Sequence, residues 1–236
     1  MSELNDSLKY ELKKNVFFSA YSEQELEDLF SLAKTVTFKS RKEIFGQGDQ
    51  GDSMYILLSG RVKISTYSSA GKETVLSFFG PGDILGEIAL LDEGPRTAAA
   101  HVLEETRALQ LYRKDFLPFI EKHPRIALQI ISVLCQRLRR TDMFIEEVVT
   151  MQAAPRLARA LLRLADVHGK EDPDGSTRIH LKLSQGNLGA HAGLMRENVN
   201  RQLKIWEEGG ILSNDNGIIV LHKISMLEEV IAEATS

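Results

Sequence analysis

Cysteine is almost absent from this 236-residue chain, in which Cys135 stands alone. A single thiol excludes an intrachain disulfide framework and any four-cysteine zinc or iron–sulfur site. Long apolar runs are missing too. No stretch approaches the ~20 residues that span a bilayer, and no signal peptide is visible. Charge of one sign is equally scarce, with 29 basic against 33 acidic side chains and a net charge of −4. Such a balance gives no whole-molecule attraction to nucleic acid, so any DNA contact must come from a local patch. The 6 histidines are scattered, which leaves a cupin-type enzyme without the histidine-and-carboxylate cluster its barrel requires. Neither a Walker loop nor a nucleophile elbow occurs. These absences point away from an enzyme and toward a soluble cytoplasmic protein. Its length and its 43% apolar content suffice for two compact domains.

What the chain does have is concentrated in Gly82–Ala100, GDILGEIALLDEGPRTAAA. Ile84 and Leu85 read as a strand end running into Gly86-Glu87, then a short apolar turn from Ile88 to Leu91. An acidic loop (Asp92, Glu93, Gly94) and Pro95-Arg96-Thr97 follow, ahead of a run of small residues. Glycine lets backbone approach a ligand closely. A helix starting at Glu87 would aim free N–H groups at an anion. Arg96 offers a planar fork that matches two phosphate oxygens. Thr97 adds a hydroxyl donor, and the Glu87 carboxylate can accept from sugar hydroxyls. Together these residues describe a pocket for a small phosphorylated sugar.

In Gly86, Glu87, Ala89, Leu90, Pro95, Arg96 and the small residues after them, the chain resembles the phosphate-binding cassette of cyclic-nucleotide-binding domains. The resemblance implies that Arg96 grips a cyclic phosphate and Glu87 takes the ribose 2′-hydroxyl, with Gly86, Ile88 and Thr97 completing the cassette. Thr97 is similar to the threonine of cGMP-binding kinases and sits where bacterial regulators have serine.

The surroundings suit such a pocket. Ser22 and Glu25 form a capping box ahead of Leu26, Leu29, Phe30 and Leu32, and residues 1–35 read as helical. From Val36 to Tyr112 the pattern turns to short strands punctuated by glycine: Met54–Leu58, Val62–Tyr67, Thr74–Phe79 and Thr106–Leu111. That spacing predicts an antiparallel barrel or jelly roll, with Ala70-Gly71-Lys72 at a hairpin tip. Asp115 is placed to cap a short helix through Glu121.

Pro124 then opens the longest helical pattern, to about Val149, some ~40 Å at 1.5 Å per residue. Ala127, Ile131, Leu134, Leu138, Thr141, Ile145 and Val148 alternate spacings of four and three, the seam of a coiled coil. A parallel homodimer is the simplest partner. Thr141 is a polar seam residue, and Asp142 beside it flanks the seam. Register-setting is one role for such residues and contact with a ligand base is another.

Past Met151 the pattern changes. Pro155 allows a helix start with Leu157, Ala160, Leu161, Leu164 and Ala165 on its apolar face, and Ile179–Leu183 reads as a strand. The inter-domain linker is expected near Val149–Ala153. Ser184 with Asn187 opens a helix, Gln185 to about His191, and Ala192-Gly193 makes a turn. A second helix, Met195 to Glu208, carries Val199, Leu203 and Trp206 inward and presents Arg196, Glu197, Asn200, Arg201 and Lys204 outward. Two helices about a glycine turn read as helix-turn-helix, and Gly210–Leu221 with Asn216-Gly217 as a β-hairpin wing. Arginine reads guanine bidentately in the major groove, and glutamate accepts from cytosine N4. A final helix is expected over Ile224–Ala234.

With cassette and R-E-x-V-x-R helix in order, the chain is similar over nearly its whole length to the Crp/Fnr family of transcription regulators. The resemblance implies an α+β protein. A cyclic-nucleotide-binding jelly roll (1–123), a coiled-coil dimerisation helix (124–150) and a winged helix-turn-helix (151–236) would follow one another. It implies cAMP, or cGMP, as allosteric effector, no metal, and base contacts from Thr141 and Asp142, where the second hydroxyl of the family's pair is replaced by a carboxylate. It also implies a homodimer on a palindromic TGTGA-like DNA site, read through Ser184, Gln185, Arg196, Glu197, Asn200, Arg201 and Lys204. RNA polymerase would be a further partner, and the nucleoid of a bacterial cytoplasm the location. Within the family, a haem-borne gas sensor would draw its axial ligands from His101, His123 or Cys135, the last expected to be a buried packing residue.

Overall fold

The structure, a computed structural model, describes residues 12–13, 15, 17–19 and 21–234. The helical expectation for residues 1–11 therefore lies outside the described residues. Two compact units divide the chain, Met1–Arg140 and Thr141–Ser236.

In the first unit, helix α1 (Glu23–Ser31) has a Ser22–Glu25 capping box complete in both directions. An antiparallel sheet follows: β1 (Lys34–Phe38), β2 (Glu43–Phe45), β3 (Ser53–Tyr67), β4 (Glu73–Phe79), β5 (Ile84–Leu85) and β6 (Ala99–Tyr112). The strand order is β1-β6-β3-β4, with β2 also on β6 and β5 on β3. The helix α2 (Glu87–Asp92) sits between β5 and β6, and α3 (Arg113–Lys122) and α4 (Pro124–Thr150) come after β6.

Alternation along β3 sets two cores. Met54 and Ile56 join Leu26, Leu29, Leu111, Phe116, Phe119, Ile126 and Ile130 in a core between sheet and helices. Tyr55, Leu57 and Val62 point the other way, to Phe38, Phe45, Phe79, Leu85 and Ala108 inside the sheet's curve. Glu25 stitches the helices together. It accepts from Arg125 and pairs with His123 at 3.1 Å.

Three local readings are corrected. Met54–Leu58 and Val62–Tyr67 are one 15-residue strand, not two. Gly60 does not end it but forms a bulge at φ +87, where a Cβ would lie 2.4 Å from the Glu105 carbonyl oxygen. Similarly, β6 is a 14-residue strand that begins well before Thr106. Asp115 falls inside the first turn of α3, whose N-cap is Tyr112.

The long helix has 27 residues. Most of the expected seam is exposed: Ile131, Leu138, Thr141, Ile145 and Val148. Its other two members, Ala127 and Leu134, are half-buried, Leu134 against the helix–sheet core, and Leu128, Cys135 and Val149 are exposed beside the seam. Thr141 and Asp142 are both exposed, and either fits spacings of three and four between Leu138 and Ile145. The helix has two apolar faces, and periodicity alone does not say which one its own domain takes. Cys135 is exposed, contrary to expectation, for the same reason.

In the second unit, α5 (Ala153–His168) leads to a four-stranded sheet of order β7-β8-β10-β9. Its strands are β7 (Gly169–Glu171), β8 (Thr177–Ile179), β9 (Leu212–Asp215) and β10 (Ile218–Leu221). The expected strand Ile179–Leu183 is displaced to β8 because Leu183 N–H is used elsewhere, donating to the Gly217 carbonyl at 2.9 Å. The pair α6 (Gln185–Ala192) and α7 (Arg196–Glu208) precedes β9, and α8 (Ile224–Glu233) packs against α5.

Candidate functional site

Arg96 is the centre of the first unit's polar site. The loop 46–52 zips onto its strand segment. Gly48 N–H donates to the Arg96 carbonyl at 2.8 Å, Arg96 N–H donates to the Asp49 carbonyl at 2.7 Å, and Gln50 bridges Pro95. These bonds pin the Arg96 backbone and turn its side chain inward, to 5% exposure. The guanidinium then donates from Nη1 to the Gly86 carbonyl and from Nη2 to the Ser53 carbonyl, both at 2.7 Å. Its face lies 4.3 Å from the Phe45 ring centroid.

Two glycines make room. A Cβ on Gly51 would come within 2.6 Å of the guanidinium carbon, and one on Gly86 within 2.4 Å of Nη1. Gly86 also needs its left-handed backbone, φ +83, to begin α2. Burial pushes the Arg96 guanidinium down from its ordinary value, and the fields of Tyr55, Asp52, Glu87 and Asp49 act against that. Arginine keeps its proton regardless. One donor stays unmatched: Arg96 Nε is buried without a hydrogen-bond partner. A buried N–H on a cation is costly to leave unmade.

Glu87, the first residue of α2, is 4% exposed. Its Oε1 meets the Arg137 guanidinium from α4. Arg137 also donates to the Ile84 carbonyl at 2.6 Å and stands over the Phe79 ring at 5.0 Å. A cation thus gives a buried carboxylate its countercharge and fixes its rotamer. With only six residues in α2, Arg96 is the main source of positive charge there, more than the helix dipole.

The structure thus gathers Gly86, Glu87 and Arg96, with Ile88 half-buried in α2 and Thr97 exposed one residue past Arg96. Thr141 and Asp142 are exposed on α4 and belong to the second unit. Sequence reasoning missed Arg137, Ser53 and Phe45. In sequence, Arg137 reads as one more solvated charge on a long helix; its spacing of one turn before Thr141 was the available signal.

Of the haem ligands nominated above, the two histidines have other partners. His101 Nε2 lies 3.1 Å from Tyr67 Oη and 3.6 Å from Glu43, and His123 is held by Glu25. Among the described residues, no group of three or more His, Cys, Asp or Glu is placed to hold a metal ion. No described helix is long and apolar enough to cross a membrane.

The second unit's site is built on α7. Val199, Leu203 and Trp206 anchor it at 0–3% exposure, so Arg196, Glu197, Asn200, Arg201 and Lys204 all face solvent. The turn before it is tight. Gly193 adopts φ +67, Leu194 N–H donates to the Gly189 carbonyl at 2.7 Å, and a Cβ on Gly189 would lie 2.9 Å from the Leu194 carbonyl oxygen. Ser184 caps α6 through Asn187 N–H, and half-buried Gln185 donates to Asn200 at 3.2 Å, tying the two helices at their outer edge. Asn216 and Gly217 turn the β9–β10 wing with positive φ at both positions.

A buried, anion-ready arginine in an antiparallel sheet domain, followed by a winged helix-turn-helix, defines a ligand-sensing DNA-binding protein. Comparison with known proteins agrees. Residues 35–123 match the cyclic nucleotide-binding domain, and residues 155–230 match the Crp-like helix-turn-helix domain. The chain is 32% identical over 219 residues to the cyclic AMP receptor protein of Thermus thermophilus, covering 93% of this chain and 98% of that one. It is 35% identical over 168 residues to the CRP-like cAMP-activated global transcriptional regulator of Mycobacterium tuberculosis, covering 71% and 75%. The crystal structure of the Thermus thermophilus catabolite activator protein superposes with a TM-score of 0.55 at 30% identity, covering 93% of this chain and all of that one. The chain belongs to the Crp/Fnr family of transcription regulators, with a cyclic nucleotide-binding domain and a Crp-like helix-turn-helix.

Proposed function

We propose that this protein is a homodimeric transcription regulator switched by cAMP, with cGMP also bound, and that the bound form recognises a palindromic TGTGA-like site. One observation carries the effector reading: the Arg96 guanidinium is buried with Nε unmatched, beside a buried carboxylate. A cyclic phosphate supplies the missing acceptor and the countercharge together. Arg137 takes Oε1 of Glu87, so Oε2 is the oxygen a ribose 2′-hydroxyl would reach. Relatives named for cAMP support the choice of nucleotide.

The exposed apolar stripe of α4, Leu128 to Val149, is the surface on which two copies would pair. Thr141 and Asp142 would then meet the base. The dimer would space two α7 helices by one DNA turn, ~34 Å, and nucleotide would act through its differential affinity for two arrangements of that dimer. Arg196, Glu197 and Arg201 would read bases, Ser184, Gln185, Asn200 and Lys204 would hold the backbone or neighbouring groups, and RNA polymerase would be engaged on the promoter.

Calorimetric titration with cAMP and with cGMP, each followed by a DNA-binding assay, tests this. We expect binding of both nucleotides and tighter specific DNA binding with cAMP. Absence of any nucleotide binding would sink the effector assignment, whatever the DNA result.

A further inference from the structure

Only Met151 and Gln152 separate α4 from α5. Such a short connection between two helices is a natural place for a change of angle, and in a switched DNA-binding protein a loose joint there would absorb the signal. The structure closes the joint from three sides. Glu147, on the last two turns of α4, is 4% exposed. Its Oε1 accepts from Arg163 at 2.5 Å and from Arg159 at 3.4 Å. Those arginines stand one turn apart on α5, so the carboxylate spans two successive positions across the joint. Arg156 Nη1 lies 3.4 Å from the Val148 carbonyl. Val148 and Phe144 pack on Gly193, the turn of the helix-turn-helix, where a Cβ would come 3.1 Å from Val148.

The choice of a buried ion triad matters. Apolar side chains of similar volume would bury as much surface without the desolvation cost, but they slide. Two guanidiniums on one carboxylate fix both the distance and the rotation of α4 against α5. Nothing in nucleotide or DNA recognition uses Glu147. We infer that Glu147 is a positioning residue that welds the end of α4 to the DNA-binding domain, so that movement of the long helix reaches α7 undiminished. This rests on the regulatory reading proposed above.

Three variants of the full-length protein test it: Glu147→Ala, the isosteric Glu147→Gln, and Arg163→Lys, which keeps an ion pair. The first measurement is the ratio of affinities for a specific DNA site with and without saturating cAMP. We expect the ratio to fall about tenfold in Glu147→Ala, less in Glu147→Gln, and to stay near wild type in Arg163→Lys. Nucleotide affinity should stay within about twofold of wild type throughout, since coupling and not the sensor is altered.

The second measurement is amide hydrogen exchange, which needs no effector. Exchange at residues 147–153 should quicken in both Glu147 variants while Val199–Trp206 stays protected. An unchanged affinity ratio together with unchanged exchange at 147–153 overturns the proposal. So does faster exchange spread evenly through 141–234, the mark of general destabilisation. Should the wild type bind neither cAMP nor cGMP, the regulatory reading has failed by itself, and the exchange data alone decide whether Glu147 makes the weld.

Discussion

Arg96 and Arg201 carry the same side chain at two sites that ask different things of it. Arg96 is wedged among Phe45, Gly51 and Gly86, with two donors on backbone carbonyls. Arg201 stands in solvent on α7, bonded to Asn198 at 3.2 Å. A small anion has few atoms to offer, so its receptor gains most by fixing one cation in a dry place before the ligand arrives. DNA is a long polyanion, and its reader gains from charges that stay hydrated, steer the approach and exchange their solvent for bases at the end.

The contrast is broken most severely at Arg96. Arg96→Ala should lower cyclic-nucleotide affinity about 100-fold or more, ~3 kcal/mol. It should also cost about 1–3 kcal/mol of stability, because the Gly86 and Ser53 carbonyls lose their donors. Titration calorimetry and thermal unfolding read the two effects separately. A folded variant with unchanged nucleotide affinity would refute the cassette role.

Arg201→Ala should leave stability near wild type and cost ~1–3 kcal/mol at a G·C position of the specific site. Lys204→Ala should weaken specific and random DNA alike and lower the salt slope by about 1. Binding isotherms on matched and scrambled duplexes at several salt concentrations separate them. Equal losses on both duplexes for Arg201→Ala would count against base readout.

Buried charge in the sensor unit should also show in acid. Burial pushes the Glu25 carboxyl up, but hydrogen bonds from Arg125 and Ser22 and the Arg125 charge outweigh it and hold it at about 2, against an ordinary 4.5. A carboxyl lowered on folding stabilises above its unfolded value, and that stability drains away as pH falls from 4.5 toward 2. Since Arg125 is 57% exposed, solvent screening holds the effect to about 1–2 kcal/mol. Melting curves of wild type and Arg125→Ala across that range should converge at the acid end. A gap that stays constant across the range would show that titration of Glu25 does not set it.

The smallest effect concerns the base. Asp142→Ser should reduce cGMP affinity up to about tenfold and leave cAMP affinity equal or higher, because a carboxylate accepts guanine N1–H and N2–H together and adenine lacks that pair. A uniform loss of both would make Asp142 a register residue of the α4 stripe.

Most of the architecture was legible in the sequence because its signals are local. The capping box at Ser22, the glycine turn at Gly193, the Asn216-Gly217 hairpin and the proline at the start of α4 each depend on neighbours a few residues away. The grouping of Gly86, Glu87 and Arg96 was legible too, since they lie within one stretch. What escaped depends on distant partners. Arg137 meets Glu87 from 50 residues away, and the Ser53 carbonyl lies 43 residues from Arg96. Gly60 looked like a strand end because a bulge and a turn share the same residue preference, and only pairing with β6 distinguishes them. The inward turn of Ala127 and Leu134 on α4 escaped for a related reason, as both faces of that helix are apolar.

On α7, the residues that pack the helix and the residues that face the outside do not overlap, although Asn200 also bonds to Gln185. Val199, Leu203 and Trp206 carry the packing, and Arg196, Glu197, Asn200, Arg201 and Lys204 share none of it. Mutation at the outer positions is therefore close to free in folding terms. If α7 reads DNA as proposed, its sequence preference can be changed by substitutions that leave the fold intact. The sensor offers no such freedom, since Arg96, Gly51, Gly86 and Phe45 are packed against one another and must change together. A change at any one of these four must be matched by its neighbours, whereas each outer position of α7 can change by itself.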